Sequence, residues 1–472
     1  MSLRIYNTLT QEKEEFQPLD PPRVKMYVCG ITPYDKTHLG HARAYVTFDI
    51  VRRYLEGYGY EVTYVQNITD IDDKIIKRSQ ELGISHQQLA TQFTESYFEV
   101  MDRLNVRKAH RYPKATHAIP DMIKVIQELI KLGFAYKAEG DVYFQVSRFK
   151  GYGKLSKRKR KDMMAGARVE VDERKKDPMD FALWKAAKEG EPSWDSPWGR
   201  GRPGWHIECS TMSHKYLGET FDIHGGGRDL IFPHHENEIA QAEAITGKPF
   251  VKYWMHNGFV TVNKQKMSKS LGNFFTLKDI FKQFDPMVVR FFLLSTHYRS
   301  PVNYSDQELN NAKEAYGRIC RFVQDVDFIL ARSAEEAPLT EVEDLEEELN
   351  AFRDRFKAAM DDDFNTAGAV AAIFEMIHYC NKAIEEEGEV EKETLAVMKE
   401  TVLSLCSVLG LAIGPRSEVQ GLRPEVDKLV VEREEARKKK DFAKADGIRV
   451  KLQEMGIVLE DTPYGTRWTK NA

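Results

Sequence analysis

Cysteine is scarce and scattered in this chain. Its 472 residues hold five (Cys29, Cys209, Cys320, Cys380 and Cys406), an odd number, far apart and without a CxxC pair. That pattern excludes a disulfide framework and a compact zinc finger. Long apolar runs are also missing, and nothing approaches the roughly 20 residues that span a bilayer. The opening Met1-Ser-Leu-Arg-Ile-Tyr6 lacks the basic-then-apolar order of a signal peptide, so a cytoplasmic protein with no membrane partner is expected. Nor is there an excess of positive charge. The formal net charge is −4, so any nucleic-acid contact must come from local basic patches. Internal repeats and low-complexity segments are absent. Apolar residues make up 42% and charged residues 30%, which argues against a largely disordered chain. The length calls for about two to four domains.

The stretch Tyr27–Arg43 organises the rest. Val24–Val28 reads as a strand that turns at Cys29-Gly30, passes a proline loop, and enters a helix at His38-Leu39-Gly40-His41. Ala42, Tyr45, Val46, Ile50 and Tyr54 keep helical spacing. Ligands gather at that end of an open α/β sheet, and a helix start suits a polyphosphate.

Residues 61–66 read as the second strand of a βαβ unit, and helical spacing returns over 71–83, 87–104 and 117–132. Between about 140 and 205, short strand-like pieces alternate with Gly, Pro, Trp and charge, as in an insertion. Phe221–His224 restarts the sheet, a helix opens at Pro233, and Tyr253–Val262 adds further strand. Strands are then expected to stop near 277. Residues 285–412 read as helices around an acidic connector at 334–348, 415–424 as a linker, and the end as a charged helix pair with a tail at 461–467.

Two constellations point to phosphate chemistry. Gly40 allows a nucleotide close to the backbone, and the His38 and His41 imidazoles can donate to phosphate oxygens as charge builds. In Lys266-Met-Ser-Lys-Ser270, Lys266 and Lys269 can bracket a triphosphate as flexible point charges.

Together these stretches resemble the HIGH and KMSKS signatures of class I aminoacyl-tRNA synthetases, with Leu39 in place of the first signature's isoleucine. Tyr27–Gly30, Pro203–Ser210, Phe232–Glu238, Lys440–Asp446 and Glu460–Pro463 resemble the cysteinyl-tRNA synthetase family nearly end to end. The resemblance implies an α/β fold: a Rossmann-like parallel-sheet catalytic domain split by an insertion and followed by helical domains. The expected segments are 1–135 and 206–284 for the two catalytic halves, 136–205 for the insertion, 285–412 for a helical stem-contact domain, and 413–472 for a small anticodon-binding domain. It implies ligation of L-cysteine to tRNA(Cys) by a monomer, through a cysteinyl-adenylate, with ATP as substrate and Mg2+ beside it.

By resemblance, one Zn2+ is held by Cys29, Cys209, His234 and Glu238. Residue chemistry supports this in part: His234 and Glu238 are four apart on a helix and share a face, and two thiolates with an imidazole and a carboxylate suit zinc. On spacing alone, His235 or Glu236 compete. Zinc would account for choosing cysteine over serine, a discrimination of ~10⁴–10⁵ that requires about 5–7 kcal/mol. Four protein ligands describe a closed site, so either the substrate thiolate adds as a fifth or one ligand, Glu238, loosens. The resemblance further implies that Gly30, Thr69 and Trp205 shape the cysteine pocket, that Asp229 accepts from the adenylate, and that His206, His224, His234 and His235 cluster nearby. The run Lys154–Lys161 offers a phosphate contact, and Lys438–Lys440 with Trp468 an anticodon contact. The nearest rival is a cysteine-activating ligase that serves a small amine such as a glucosamine-inositol; a non-catalytic nucleotide-binding relative is the rival from another class.

Overall fold

The computed structural model describes residues 2–158, 173–262, 265–266, 275–332, 345–387, 390–414, 423–462 and 465–470. They form two compact units. The first joins Met1–Lys313 with Arg355–Ala371 and Val408–Leu411; the second joins Glu314–Asp354, Ala372–Ser407 and Ala412–Ala472.

At the centre of the first unit is a four-stranded parallel sheet, in the order Val251–Asn257, Phe221–Gly227, Arg23–Ile31, Glu61–Ile68. Its register aligns Val65, Tyr27, His224 and Trp254 in one row across the sheet. Paired residues in a sheet share a face, so this row lies on one side, where Ile207 and Met212 of the helix Trp205–Leu217 complete the core. Val28 and Gly225 lie on the other side, where Phe48 of the helix Leu39–Gly57 packs against Gly225. Pairing of Arg23–Ile31 with Glu61–Ile68 is interrupted between Val28 and Ile31. The irregularity falls on Cys29 and Gly30, and such bulges re-aim side chains beside active sites. Gly30 has to be glycine, because a Cβ there would run into the Asn67 carbonyl.

Helix boundaries follow local chemistry. Asp72 caps Asp73–Leu82, which Gly83 closes at φ +67°, and Ser85 with Gln88 forms a capping box for His86–Arg103. Between the halves of the parallel sheet lies a four-stranded antiparallel sheet: Ala135–Ala138, Asp141–Phe144, Phe181–Ala186 and Gly201–Pro203. The helix expected to open at Pro233 instead begins with a single wide turn, Ile231–His235, that runs into Glu236–Thr246.

Three local expectations change. Strands do not stop at 277: Val302–Tyr304 pairs in parallel with Val260–Val262, a long-range partnership that a three-residue pattern cannot announce. Of the acidic connector, Glu346–Glu348 form the first turn of a helix, Leu345–Asp361, where the positive end of the helix dipole favours them. The C-terminal tail is a hairpin, Ile457–Thr462 with Gly465–Lys470. It covers a small core of Val426, Leu429, Val430, Ile448 and Leu452, and Trp468 packs there with its indole N–H donated to Asp427 (2.7 Å).

Candidate functional site

Four chain segments deliver one buried cluster at the end of the parallel sheet. Cys29 comes from the bulge, Cys209 from the helix Trp205–Leu217, His234 from the wide turn, and Glu238 from the first turn of Glu236–Thr246. None is more than 7% exposed. Their ligand atoms all lie within 4.8 Å of one another, including Cys29 Sγ to Cys209 Sγ at 3.7 Å and His234 Nε2 to Glu238 Oε1 at 3.0 Å. A second set meets the same limit: Cys29, His224, His235 and Glu238. His235 is thus a geometric competitor, with Nε2 3.3 Å from Cys29 Sγ. Glu236 is not, because its buried carboxylate accepts the backbone N–H groups of Gly153 and Ser156, each at 2.8 Å.

The deeper histidines are already engaged with one another. His235 Nδ1 meets His256 Nε2 at 2.8 Å, and His256 Nδ1 meets the Thr8 hydroxyl at 2.8 Å. His224 stacks on Trp254 and bonds Glu238 Oε2 at 2.9 Å. His224 and His235 thus touch the first set through Glu238 and Cys29, an arrangement in which second partners commonly brace metal ligands. A set with two sulfurs, one nitrogen and one oxygen suits a borderline-soft divalent ion.

Charge in the cluster is divided. Burial would raise the Glu238 carboxyl, but His224 and His234 outweigh it and hold it down to about 2. Burial would lower His234, yet Glu238 and Cys209 lift it to about 10. The hydrogen bond from Cys29 draws Cys209 down to about 6, while burial, then Cys209, pushes the Cys29 thiol up. His256 falls to about 3 through burial and the nearby His224 and Arg228. One imidazolium, one carboxylate, the Cys209 thiolate and the Cys29 thiol thus sit beside the neutral imidazoles of His206, His235 and His256.

The phosphate-binding candidates follow the C-terminal end of Arg23–Ile31, the strand that carries Cys29. His38 is the N-cap of Leu39–Gly57: its Nδ1 accepts the Gly40 N–H (3.1 Å), and His41 Nδ1 accepts the His38 N–H (3.3 Å). The two rings stack with centroids 3.7 Å apart. Two histidines thus form a capping box, a role usually filled by Ser or Thr with Glu. Tyr45, on the same helix, donates its hydroxyl to the Cys29 carbonyl (3.3 Å). On the far side of the second signature, Thr276 forms a β-bridge with His38, and the Leu277 N–H bonds the Thr37 carbonyl (3.0 Å). Lys266 ends the short strand Gln265–Lys266, paired with Val260–Val262. The Lys266 side chain and all of Lys269 lie outside the described residues, as do 159–161 of the basic run.

Comparison with known proteins settles the family. The description "tRNA synthetases class I (C) catalytic domain" matches residues 15–314, "DALR domain" matches 355–413, and "Cysteinyl-tRNA ligase anticodon binding domain" matches 419–468. A cysteine–tRNA ligase of Clostridioides difficile is 52% identical over 471 residues, covering 99% of this chain and all of the relative. One from Pelotomaculum thermopropionicum is 54% identical over 487 residues, with the same coverage. The chain belongs to the cysteine–tRNA ligase family. The class I fold is shown as well by a Mycobacterium tuberculosis methionyl-tRNA synthetase in complex with methionyl-adenylate. That structure has a TM-score of 0.60 at 16% identity, covering 82% of this chain and 89% of that one.

In this member of the cysteine–tRNA ligase family, the residues expected around the pocket are placed as follows. Trp205 is 39% exposed and stacks on His234, with centroids 4.2 Å apart. Thr69 donates to Glu208 Oε2 (2.8 Å) and accepts from Asn67 Nδ2 (3.1 Å). Gly30 donates its backbone N–H to Asn67 Oδ1 (2.7 Å). Asp229 is exposed on the short turn Arg228–Leu230 that follows Phe221–Gly227. His206 joins the histidine cluster through Nδ1, 2.9 Å from His234 Nδ1. Asn67, Glu208 and His256 are functional candidates that sequence reasoning missed. Asn67 and His256 are polar residues next to last in Glu61–Ile68 and Val251–Asn257, at the strand end where ligands bind, and that position could have found them.

Proposed function

We propose that this chain ligates L-cysteine to tRNA(Cys) at the expense of ATP, and that its buried cluster holds one Zn2+ through Cys29, Cys209, His234 and Glu238. The observation that carries the reading is that the sulfur-rich donor set includes Cys29 of Arg23–Ile31, the strand whose C-terminal end leads into the His38–His41 helix start. Zinc in this seat would supply a Lewis acid that prefers a thiolate to serine's hydroxyl. The chain's own groups do the rest. Burial and the deeper histidines hold the donors in place, and Trp205, Thr69 and Gly30 wall the pocket. The cysteine carboxylate attacks the α-phosphorus of ATP, forming the adenylate as pyrophosphate leaves. His38, His41, Lys266 and Lys269 bind the charge that develops, with Gly40 giving close approach and Asp229 accepting from the adenylate. The 3′-terminal ribose hydroxyl of tRNA then attacks the adenylate carbonyl and releases AMP. Mg2+ accompanies ATP.

The division of labour we infer follows the segments 1–135 and 206–284 for catalysis, 136–205 for the insertion, 285–412 for the tRNA stem and 413–472 for the anticodon. The match over 419–468 disfavours a small-amine acceptor, which would not need that segment. A cytoplasmic monomer is part of the reading, and sedimentation checks the monomer. The decisive assay supplies ATP, labelled cysteine and either tRNA or a glucosamine-inositol. Charging of tRNA alone is expected, and charging of the amine alone would overturn the reading. Lys269→Ala should slow cysteine-dependent pyrophosphate exchange while cysteine affinity stays close to the parent's; equal loss of both would remove the lysine from its role.

A further inference from the structure

Two residues beyond His41, the helix Leu39–Gly57 carries a buried arginine with no part in the chemistry described so far. Arg43 is 2% exposed. Its guanidinium donates to four backbone carbonyls of one segment: Leu293, Thr296 (3.2 Å), His297 (2.7 Å) and Ser300 (3.3 Å). Leu293 is in the last turn of Pro286–Leu294, so Arg43 both satisfies a helix C-terminus and gathers the turn that follows. Burial brings its pKa down only to about 10, so the charge persists at neutral pH.

That turn is the footing of the second signature. The Tyr298 carbonyl accepts the Gly258 N–H (2.7 Å), and Ser300 lies so close to Gly258 that a Cβ would collide with its carbonyl. The Val302 N–H then bonds the Phe259 carbonyl (3.0 Å), and Val302–Tyr304 pairs with Val260–Val262. Val260–Val262 in turn pairs with Gln265–Lys266. Asp363 holds the same turn through side chains, accepting from the Tyr298 hydroxyl (2.8 Å) and from Arg299 Nε (2.6 Å).

We infer that Arg43 is a positioning residue for adenylate formation: through the 293–300 turn it sets the strand bearing Lys266 in register with the helix bearing His38 and His41. Four carbonyls from one turn need a planar, many-armed donor, and an ammonium group cannot reach them all in the same geometry. The two signatures must meet one triphosphate, where a misplacement of about 1 Å can cost about 100-fold in rate.

This inference rests on the proposed ligase activity, and cysteine-dependent ATP–pyrophosphate exchange separates the two failures. If the parent chain shows no exchange, the functional reading fails. If the parent exchanges and Arg43→Lys matches it, only the positioning role fails. The expected result for Arg43→Lys is a kcat about 10- to 100-fold lower and a raised KM for ATP, with the KM for cysteine within about twofold of the parent. Equal losses in the ATP and cysteine parameters would mean general loosening and would overturn the inference. Should Arg43→Lys not fold, Arg299→Gln loosens the same turn from its more exposed side. It should shift kcat and the KM for ATP in the same direction by a smaller factor; an unchanged exchange rate would overturn the inference.

Discussion

His234 Nε2 lies 3.0 Å from Glu238 Oε1, whereas His235, its neighbour in sequence, is 3.9 Å from that same oxygen and bonds backwards to His256. Two adjacent imidazoles thus face one carboxylate with different second commitments. His234 has Trp205 and His206 beside it, and His235 has the interior of the sheet.

The first prediction separates the two donor sets. His234→Ala should strip the metal from the purified protein. His235→Ala should keep it with affinity weakened by about 10- to 100-fold, as expected for a bracing residue. Metal content by elemental analysis after mild chelation reads the difference, and the reverse order would assign the deeper set.

The second concerns pH. A metal can enter only when its ligands give up their protons. Without one, His234 keeps its proton up to about pH 10 and the Cys29 thiol is raised as well. Zinc affinity should therefore fall as pH falls from 8 to 6, and binding at neutral pH should release at least one proton. Titration calorimetry in buffers of different ionisation enthalpy counts those protons, and an affinity independent of pH would contradict the ligand assignment.

Gly30→Ala should disrupt the site although it adds a single methyl group. The new Cβ would meet the Asn67 backbone, which cannot yield cheaply. Parting these two strands would move Cys29, so loss of metal together with a lowered Tm is expected. A variant with parental metal content would show that the bulge can absorb the methyl.

A buried ion pair tests the packing behind the site. Asp49, 1% exposed, accepts from Arg290 (2.5 Å), from Arg53 Nε (2.8 Å) and from the Arg107 N–H (2.9 Å). Asp49→Ala strands the fully buried Arg290 guanidinium without its counter-charge, at a cost of about 3–5 kcal/mol. The unfolding temperature of the first unit in a thermal scan should drop by several degrees, and an unchanged scan would show that the carbonyls of Leu104, Asn105 and Leu409 suffice.

In the second unit, burial lifts the thiols of Cys380 and Cys406 to about 12. Unfolded, they would titrate near 9.0. Above that value the unfolded chain has lost protons that the folded chain keeps, so this contribution is complete below pH 9 and is lost as pH rises from 9 toward 12. Iodoacetamide at pH 8.5 should label both cysteines in denaturant and neither in the native protein, as peptide mass mapping would show.

Much of this protein is written locally. The spacing of Val24–Val28 and of Ala42, Tyr45, Val46 and Ile50 declares a strand–turn–helix, because each element's period is set by its own backbone geometry. The two signatures are short enough to be read in one line. The amphipathic helices of 71–132 and the family resemblance likewise needed no coordinates. Tertiary structure decided which side chains meet. Cys29 lies 180 residues from Cys209 and 209 from Glu238, and no periodicity encodes such a pairing. Only the fold removes Glu236 from the ligand candidates, by placing the Gly153 and Ser156 amides against it, and it alone assigns the Gly30 N–H to Asn67. It also pairs Val302–Tyr304 with Val260–Val262, because a three-residue strand is stable only through its partner. The first-signature helix was legible in the sequence; what the arginine behind it holds became visible only when residues about 250 apart came within hydrogen-bond reach.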